Sequence, residues 1–343
     1  MIQSALRRFS TMTSSNSTSC SPFTRAVVDS MRKLYPECLA DKSFDNTGLL
    51  LESPFSFTRR QKNSVLLTID LTKAVANEAI ERGDSIIIAY HPIIFRGLKS
   101  LTLNDPQQDS LLRLAQNGIS VYSPHTAVDA APGGMADWLL DVALQPKSSP
   151  RGTFAPHNRS VIYPEQNPPP GFEAAGMGRI ATLKQPGPLK LVIANLMANL
   201  DKPDGIPIAL PQGKGILEMP DIRTIATCAG SGSSILMKNG KPVADVLVTG
   251  EMSHHDALAA IENGAAVVSL FHSDSERGYL SAVMRGKLEE ALRGEWDAVR
   301  AQEAAALAGS DGERDIRDWL SDSNFTVSVS EMDHDPYEIW TSS

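Results

Sequence analysis

Two short motifs place a histidine four residues before a carboxylate. His125 and Asp129 lie in PHTAVD, and His272 and Glu276 lie in HSDSE. Residues four apart share one face of a helical turn, so each pair can bind the same metal ion. Imidazoles and carboxylates without thiolates suit Zn²⁺, Mn²⁺, Fe²⁺ or Co²⁺ rather than Ca²⁺. The spacing therefore predicts a site for a divalent metal ion of that group.

An internal repeat relates a third histidine to His272. Residues 64–91 align without a gap onto residues 245–272, and each segment has the pattern of a strand, a helix and a second strand. A short connection of this kind makes a βαβ unit, whose two strands run parallel. His91 and His272 then stand at equivalent positions, at the end of the second strand of each unit.

The repeat also pairs Asp70 with Glu251, at the ends of the two first strands. Ligands of parallel α/β sheets bind beyond the carboxyl ends of the strands, so we expect these polar side chains to meet there. The candidate metal ligands are His91, His125, Asp129, His272 and Glu276. They exceed the needs of one ion, so we predict two divalent ions, bridged by Asp129 or Glu276.

Two further segments have alternative interpretations. In GEMSHHDA, Glu251, His254 and His255 either contact a substrate, or the histidines are exposed at a helix that Ser253 caps. CAGSGSS, residues 228–234, could bind an anion through backbone N–H groups. It lacks the lysine of a P-loop and the spacing of GxGxxG, so we favour a tight turn.

These residues belong to an α/β chain that we divide into two similar lobes facing each other around the metal site. Strand-like and helix-like patterns alternate on both sides of a Pro- and Gly-rich stretch. The predicted parts are a leader (1–22), a first α/β lobe (23–144), a linker or short insert (145–188), a second α/β lobe (189–296) and an acidic C-terminal segment (297–343). The last part is predicted to be an exposed helix and surface segment.

Composition narrows the class of protein. The 343 residues are 42% hydrophobic and 21% charged, which is ordinary for a globular chain. No apolar run reaches the ~20 residues of a membrane span. The net charge of −8 argues against nucleic acid as a partner. Three cysteines without a CxxC pair argue against a disulfide framework and favour a reducing compartment.

The leader differs from the rest of the chain. Residues 1–22 carry Arg7 and Arg8, are rich in Ser and Thr, and contain no acidic residue. That composition is typical of a mitochondrial presequence. A disordered Ser/Thr tail is the alternative. We predict a mitochondrial location, with the cytoplasm as the alternative.

Motifs between about residue 23 and about residue 290 together resemble the NIF-three-like family, also known as GTP cyclohydrolase 1 type 2 homologs. They are DNTGLLL, YHPIIFRGLKSL, VYSPHTAVDAAPGGMADWL, GMGR, CAGSGSS, TGEMSHHDAL and HSDSERGYL. The resemblance implies two similar α/β lobes around a dinuclear metal site, assembled into a ring-like homohexamer. Carried over by motif, its ligands are His91, Asp129, His272 and Glu276, with His125 contributing.

One position departs from the family pattern. Many members have two adjacent histidines before the proline, where this chain has Tyr90 and His91. A tyrosine at position 90 resembles the eukaryotic branch of the family. It leaves the site with one potential imidazole ligand fewer. Some members also carry a large domain between the lobes, whereas residues 145–188 leave room only for a short insert.

Two functions fit these observations. The first is a metal-dependent hydrolase of a small molecule, namely a phosphoester, a nucleotide or a cyclic amide. In such a hydrolase, His125 or the His254/His255 pair would shuttle protons, and Glu251 would contact the substrate. The second is a non-enzymatic metal-binding scaffold or partner-binding protein. A coordination position open to water favours the enzyme, and a closed site favours the scaffold.

Overall fold

The computed structural model describes residues 20–55, 61–146, 155–200, 202, 205–306 and 314–340. The strands are β1 Gly48–Leu51, β2 Ser64–Thr68, β3 Ile86–Ala89, β4 Ser120–Ser123, β5 His157–Pro164, β6 Gly176–Gly187, β7 Ile208–Ala209, β8 Ile222–Ser231, β9 Met237–Lys238, β10 Lys241–Pro242, β11 Val246–Glu251, β12 Ala266–Ser269 and β13 Thr326–Val329.

The helices are α1 Pro22–Leu34, α2 Lys73–Arg82, α3 Pro106–Gln116, α4 Thr126–Ala130, α5 Met135–Leu144, α6 Leu189–Asn199, α7 Ser233–Leu236, α8 His254–Glu262, α9 Arg277–Tyr279, α10 Arg285–Ala306 and α11 Arg314–Ser321. A π-helical turn, Leu280–Met284, leads into α10. In the described ranges no helix is both long and apolar enough to cross a membrane.

Each lobe is built on one sheet. The first sheet has the order β1-β4-β3-β2-β13, and the second has the order β5-β6-β8-β11-β12-β7. The predicted repeat is present as β2-α2-β3 and β11-α8-β12, and both strand pairs are parallel. Gly83 and Gly264 follow the two repeat helices with φ of +70° and +85°, a conformation that favours glycine. The predicted α/β class with two similar lobes is confirmed.

The stretch 145–188 was predicted to be a linker or short insert, and this is wrong for most of its length. Strands β5 and β6 form an antiparallel pair within it, and β6 continues the second sheet by pairing with β8. Pro168–Gly171 lie in the turn between the two strands, whereas Pro164, Gly176, Gly178, Pro186 and Gly187 lie within the strands themselves. The stretch is therefore part of the second lobe.

Helices cross between the lobes near the predicted boundaries. Helix α5, assigned to the first lobe, buries Leu139 and Leu140 in the core of the second. Helix α10, assigned largely to the second lobe, runs beside α1 and buries Leu288, Leu292 and Trp296 in the core of the first. Each helix thus fastens one lobe to the other.

The acidic segment 297–343 was predicted to be an exposed helix and surface segment, and this needs correction. Trp319 and Leu320 are buried in the core of the first lobe. Strand β13 extends the first sheet, because it pairs in parallel with β2. The segment has few apolar residues and many charged ones. Its composition therefore predicted an exposed surface and did not indicate these buried positions. Residues 1–19 of the predicted leader lie outside the described residues, and Pro22 already begins α1.

Candidate metal centre

The ends of parallel strands from both lobes meet at one cavity. His91 follows β3 in the first lobe, and His272 follows β12 in the second. Their ring centroids are 5.2 Å apart, and the His125 ring, at the start of α4, is 5.5 Å from that of His91. The residues predicted as metal ligands all line this cavity of about 490 Å³; they are His91, His125, Asp129, His272 and Glu276.

Glu276 occupies the centre of this group. It is 1% exposed, with Oε2 at 3.4 Å from His91 Nε2 and Oε1 at 3.5 Å from His272 Nε2. Potential ligand atoms of these three residues all lie within 4.8 Å of one another. Within the described part of the chain, Oε2 makes no hydrogen bond. A buried carboxylate oxygen without a donor is costly, so the donor set fits a bound cation.

Each of the three histidines has its Nδ1 atom at hydrogen-bonding distance from a carboxylate. The pairs are Asp70–His91 at 2.9 Å, Asp45–His125 at 2.7 Å and Glu251–His272 at 3.0 Å. Such a partner fixes the ring orientation and the tautomer, and it leaves Nε2 as the metal-binding atom. The strand-end acids Asp70 and Glu251 therefore orient histidines here, and they are not among the residues that line the cavity.

Burial and neighbouring charges shift the pKa values of two candidate ligands, His91 and Asp129. Burial works against a charged His91, but the hydrogen bond to Asp70 and the nearby negative charge of Glu276 outweigh it and raise the pKa of His91 to about 10. Burial raises the pKa of Asp129 to about 6, against the opposing influence of His125. Both shifts belong to the metal-free protein, in which imidazoles and carboxylates have only each other as partners.

Tyr90 stands beside the ligands in the first lobe. It is buried, its ring centroid lies 5.4 Å from that of His125, and its O–H donates a 2.7 Å hydrogen bond to Asp129 Oδ1. Burial, together with the negative charge of Asp129, raises the pKa of Tyr90 far above its usual value. Tyr90 is therefore a hydrogen-bond donor that occupies one oxygen of a candidate ligand.

The glycine-rich segment 228–234 lies against the second-lobe ligands. A Cβ atom on Gly230 would lie 2.7 Å from Glu276 Oε1 and 3.0 Å from His272 Nε2. The Gly230 N–H donates to Ser275 Oγ at 2.8 Å, and the Gly232 N–H donates to the Glu251 carbonyl at 3.2 Å. These two donors are thus used within the protein and are not available to an anion, although the segment is the end of β8 and the start of α7 rather than the tight turn that we favoured.

Two unusual backbone conformations lie at the site. In the described chain, positive φ occurs at three residues other than glycine: His125 (+32°), Asn239 (+52°) and Phe271 (+66°). His125 is a candidate ligand, and Phe271 immediately precedes another. Such strain concentrates at functional sites, where the surrounding structure has to hold it in place.

His254 and His255 do not join this cluster, so their predicted proton-shuttle role is not supported by their position. They begin α8 with both side chains exposed, and neither lines the cavity. Ser253 Oγ caps the helix by accepting a hydrogen bond from the Asp256 N–H. The strand-to-helix turn that placed them near the sheet edge also turns them toward solvent.

Sequence reasoning missed two features of the site. Asp45 was not singled out, although its DNTGLLL motif belongs to the family pattern, because no periodicity or spacing connects it to His125. The other feature is an aromatic rim, where Phe44 and Phe95 are 52% and 45% exposed beside the cavity. Their ring centroids are each 6.4 Å from that of His125.

Comparison with known proteins identifies the family. Residues 24–303 match the model of Duf34/NIF3 (NGG1p interacting factor 3). The chain belongs to this family. It is 46% identical over 272 residues to the protein NIF3 homolog of Schizosaccharomyces pombe, an alignment that covers 79% of this chain and 90% of that protein. The NGG1-interacting factor 3 of Saccharomyces cerevisiae is 39% identical over 277 residues, covering 78% and 92%. The NIF-three-like resemblance read from the motifs is confirmed.

Solved structures agree on the NIF3 fold. A Bacillus cereus protein related to NIF3 superposes with a TM-score of 0.64 at 21% identity, covering 92% of this chain and 98% of that one. Reduced HcgD from Methanocaldococcus jannaschii superposes with a TM-score of 0.58 at 21% identity, covering 78% and 93%. These similarities show a shared fold.

Proposed function

We propose that this NIF3-family protein binds two divalent metal ions between its lobes and is a metal-dependent hydrolase of a small molecule. One observation carries the proposal. Two carboxylate-oriented histidines, His91 and His272, contact the buried Glu276, whose Oε2 makes no hydrogen bond in the described chain, and a third, His125, lies beside His91. The imidazole and carboxylate donors of this group suit Zn²⁺, Mn²⁺, Fe²⁺ or Co²⁺.

The donors divide into two neighbouring groups. His91, His272 and Glu276 form the compact group that would hold the first ion. His125 and Asp129 lie beside it and would hold the second ion. The His125 ring lies 5.5 Å from that of His91, and Asp129 lines the same cavity, which supports this division.

Divalent metal ions, when bound, supply Lewis acidity and lower the pKa of water. The chain's own residues would admit and orient the substrate. Phe44 and Phe95 offer ring faces at the rim, and the cavity of about 490 Å³ has room for a small molecule. Asp45 fixes the His125 ring through Nδ1, so Nε2 can act as a metal ligand or accept a proton from a substrate.

The cavity favours an enzyme over a scaffold. A purely structural metal site is enclosed by its ligands, whereas this cluster borders space sufficient for a substrate. Substrates of three classes remain in the proposal, namely phosphoesters, nucleotides and cyclic amides. A metal-binding scaffold or partner-binding protein is the alternative that the experiment below would favour if no substrate is hydrolysed.

The test compares two pairs of histidines. We expect purified wild-type protein to contain divalent metal by elemental analysis, and H91A/H272A to lose it. The matched control is H254A/H255A, which removes two exposed imidazoles and should retain wild-type metal content. Unchanged metal content in H91A/H272A would refute the site. Metal-dependent hydrolysis in a panel of the three substrate classes supports the enzyme, and its absence throughout supports the scaffold.

Assembly and location are further proposals. The family resemblance leads us to propose a homohexamer, which light scattering coupled to gel filtration tests directly. The composition of residues 1–22 leads us to propose mitochondrial import. N-terminal sequencing of protein isolated from cells tests that proposal, because an intact Met1 contradicts a cleaved presequence.

A further inference from the structure

The segment Ser330–Trp340, which we call the C-terminal strap, touches both lobes beside the metal centre. It follows β13 in the first lobe and reaches the turn after β12 in the second. Most of its side chains are exposed, but Asp333 is only 5% exposed. A carboxylate buried within an exposed segment must find compensating donors or cations.

Asp333 connects the backbone segments that carry the candidate ligands. Its Oδ2 accepts a 2.7 Å hydrogen bond from the Ile69 N–H, and its Oδ1 accepts a longer one, 3.4 Å, from the Asp70 N–H. The same carboxylate forms an ion pair with Arg277, in the turn that carries the second-lobe ligands. Asp70 orients the first-lobe ligand His91, and Arg277 directly follows the second-lobe ligand Glu276. Asp333 therefore contacts a neighbour of a candidate ligand in each lobe.

Two further strap residues hold the turn on either side of His272. Ser273 Oγ donates a 2.8 Å hydrogen bond to Asp335 Oδ2. The Tyr337 ring stacks on Phe271, with centroids 6.1 Å apart and planes at 26°. Phe271 has a φ of +66°, so these contacts brace a strained turn directly at a candidate ligand.

We propose that the C-terminal strap, acting mainly through Asp333, sets the spacing between the first-lobe and second-lobe ligands of the metal centre. This inference rests on the proposed metal-binding function. Asp333 is a positioning residue, because it contacts Ile69, Asp70 and Arg277 and none of the candidate ligands themselves.

The test measures metal binding in full-length variants. D333N keeps an oxygen acceptor but removes the charge opposite Arg277. D335A releases Ser273 from a strap residue that is only half-buried, so it serves as a second variant should D333N fail to fold. E331Q is the matched control, since it removes one exposed charge from the same segment. Affinities for Zn²⁺ come from competition with a chromophoric chelator, and the visible spectrum of bound Co²⁺ reports ligand geometry.

We expect D333N to bind Zn²⁺ more weakly and to change the Co²⁺ spectrum, with a loss below the roughly 10–100-fold that follows removal of a direct partner of a ligand. D335A should show a smaller loss, and E331Q should match wild type. Wild-type affinity and spectrum in folded D333N, or in D335A if D333N does not fold, would overturn the inference. A wild-type protein that binds neither ion would instead overturn the proposed function on which it rests.

Discussion

His91 and His272, at equivalent ends of the two βαβ units, lie with their imidazole centroids 5.2 Å apart across the junction between the lobes. The buried Glu276 approaches both rings, one with each carboxylate oxygen. Neither lobe contains this group of donors alone. A metal ion bound here therefore joins the lobes as well as completing the site.

The first prediction concerns metal removal. A ligand that binds only the folded state stabilises it by about 2.7 kcal/mol at a concentration 100 times its Kd. We expect a chelator to lower the melting temperature of the wild type and to leave H91A/H272A unaffected. Differential scanning fluorimetry measures both. An equal response of the two proteins would contradict a metal ion bound between these histidines.

The second prediction concerns the carboxylate behind His125. Burial opposes ionisation of Asp45, but hydrogen bonds from His125 and Thr126 outweigh it and keep its pKa below the usual value. We expect D45N, which removes this charge, to weaken metal binding about 10–100-fold in a chelator competition assay. D221N is the control because Asp221 is exposed. Equal affinities of D45N and D221N would exclude an orienting role for Asp45.

The third prediction concerns Gly230. G230A places a methyl group 2.7 Å from Glu276 Oε1, so we expect the metal to be lost while the fold persists. G240A is a matched control. Gly240 also has a positive φ, +72°, but a Cβ atom added there would meet no described atom within 4 Å, so this variant carries the strain of about 1 kcal/mol without the clash. Elemental analysis after gel filtration measures the metal content of both variants, and we expect only G230A to have lost its metal. Full metal content in G230A would show that the ligands can move aside.

The fourth prediction concerns Tyr90. Y90H replaces a phenol by an imidazole and releases Asp129 from its hydrogen bond. We expect the second metal ion to bind more tightly, since the new imidazole adds a ligand of a kind that suits these metals. Y90F removes the O–H without supplying a donor and should not show this gain. Competition titrations that follow both ions test the difference, and a Y90H titration identical to that of Y90F would refute it.

The fifth prediction concerns thiol reactivity and its pH dependence. Burial, aided by the negative charge of Glu52, raises the pKa of Cys20 to about 12. Because the thiolate is the reactive form, Cys20 should stay nearly inert at pH 8 and react faster up to about pH 12. Cys38 is exposed and should react first. Mass spectrometry after timed alkylation at several pH values measures this. Rapid labelling of Cys20 at pH 8 would contradict its burial.

The repeat explains why much of the site could be predicted. His91 and His272 follow hydrophobic strands at matching positions, and strand ends determine where a ligand binds in parallel sheets. Asp45 could not be found this way. It lies in a loop before β1, and its contact with His125 depends on how that loop folds back. Local periodicity carries no information about such a contact.

The limits of the fold prediction have a similar cause. An apolar stripe on α5 or α10 shows which face is buried, but it does not show which lobe covers that face. Both helices cross to the other lobe, so boundaries drawn from sequence order were misplaced there. Strand β13 is four residues long and lies in a strongly acidic segment, where the charge outweighed its short apolar pattern.

The pairing of β13 with β2 has a consequence for synthesis on the ribosome. Val327 lies beside Val65 in the sheet, so the first sheet is completed only after residue 329 has been translated. Until then β2 has an open edge, which is the kind of surface that recruits chaperones or aggregates. The sheet of the nascent first lobe therefore stays incomplete until residues 326–329 have been synthesised.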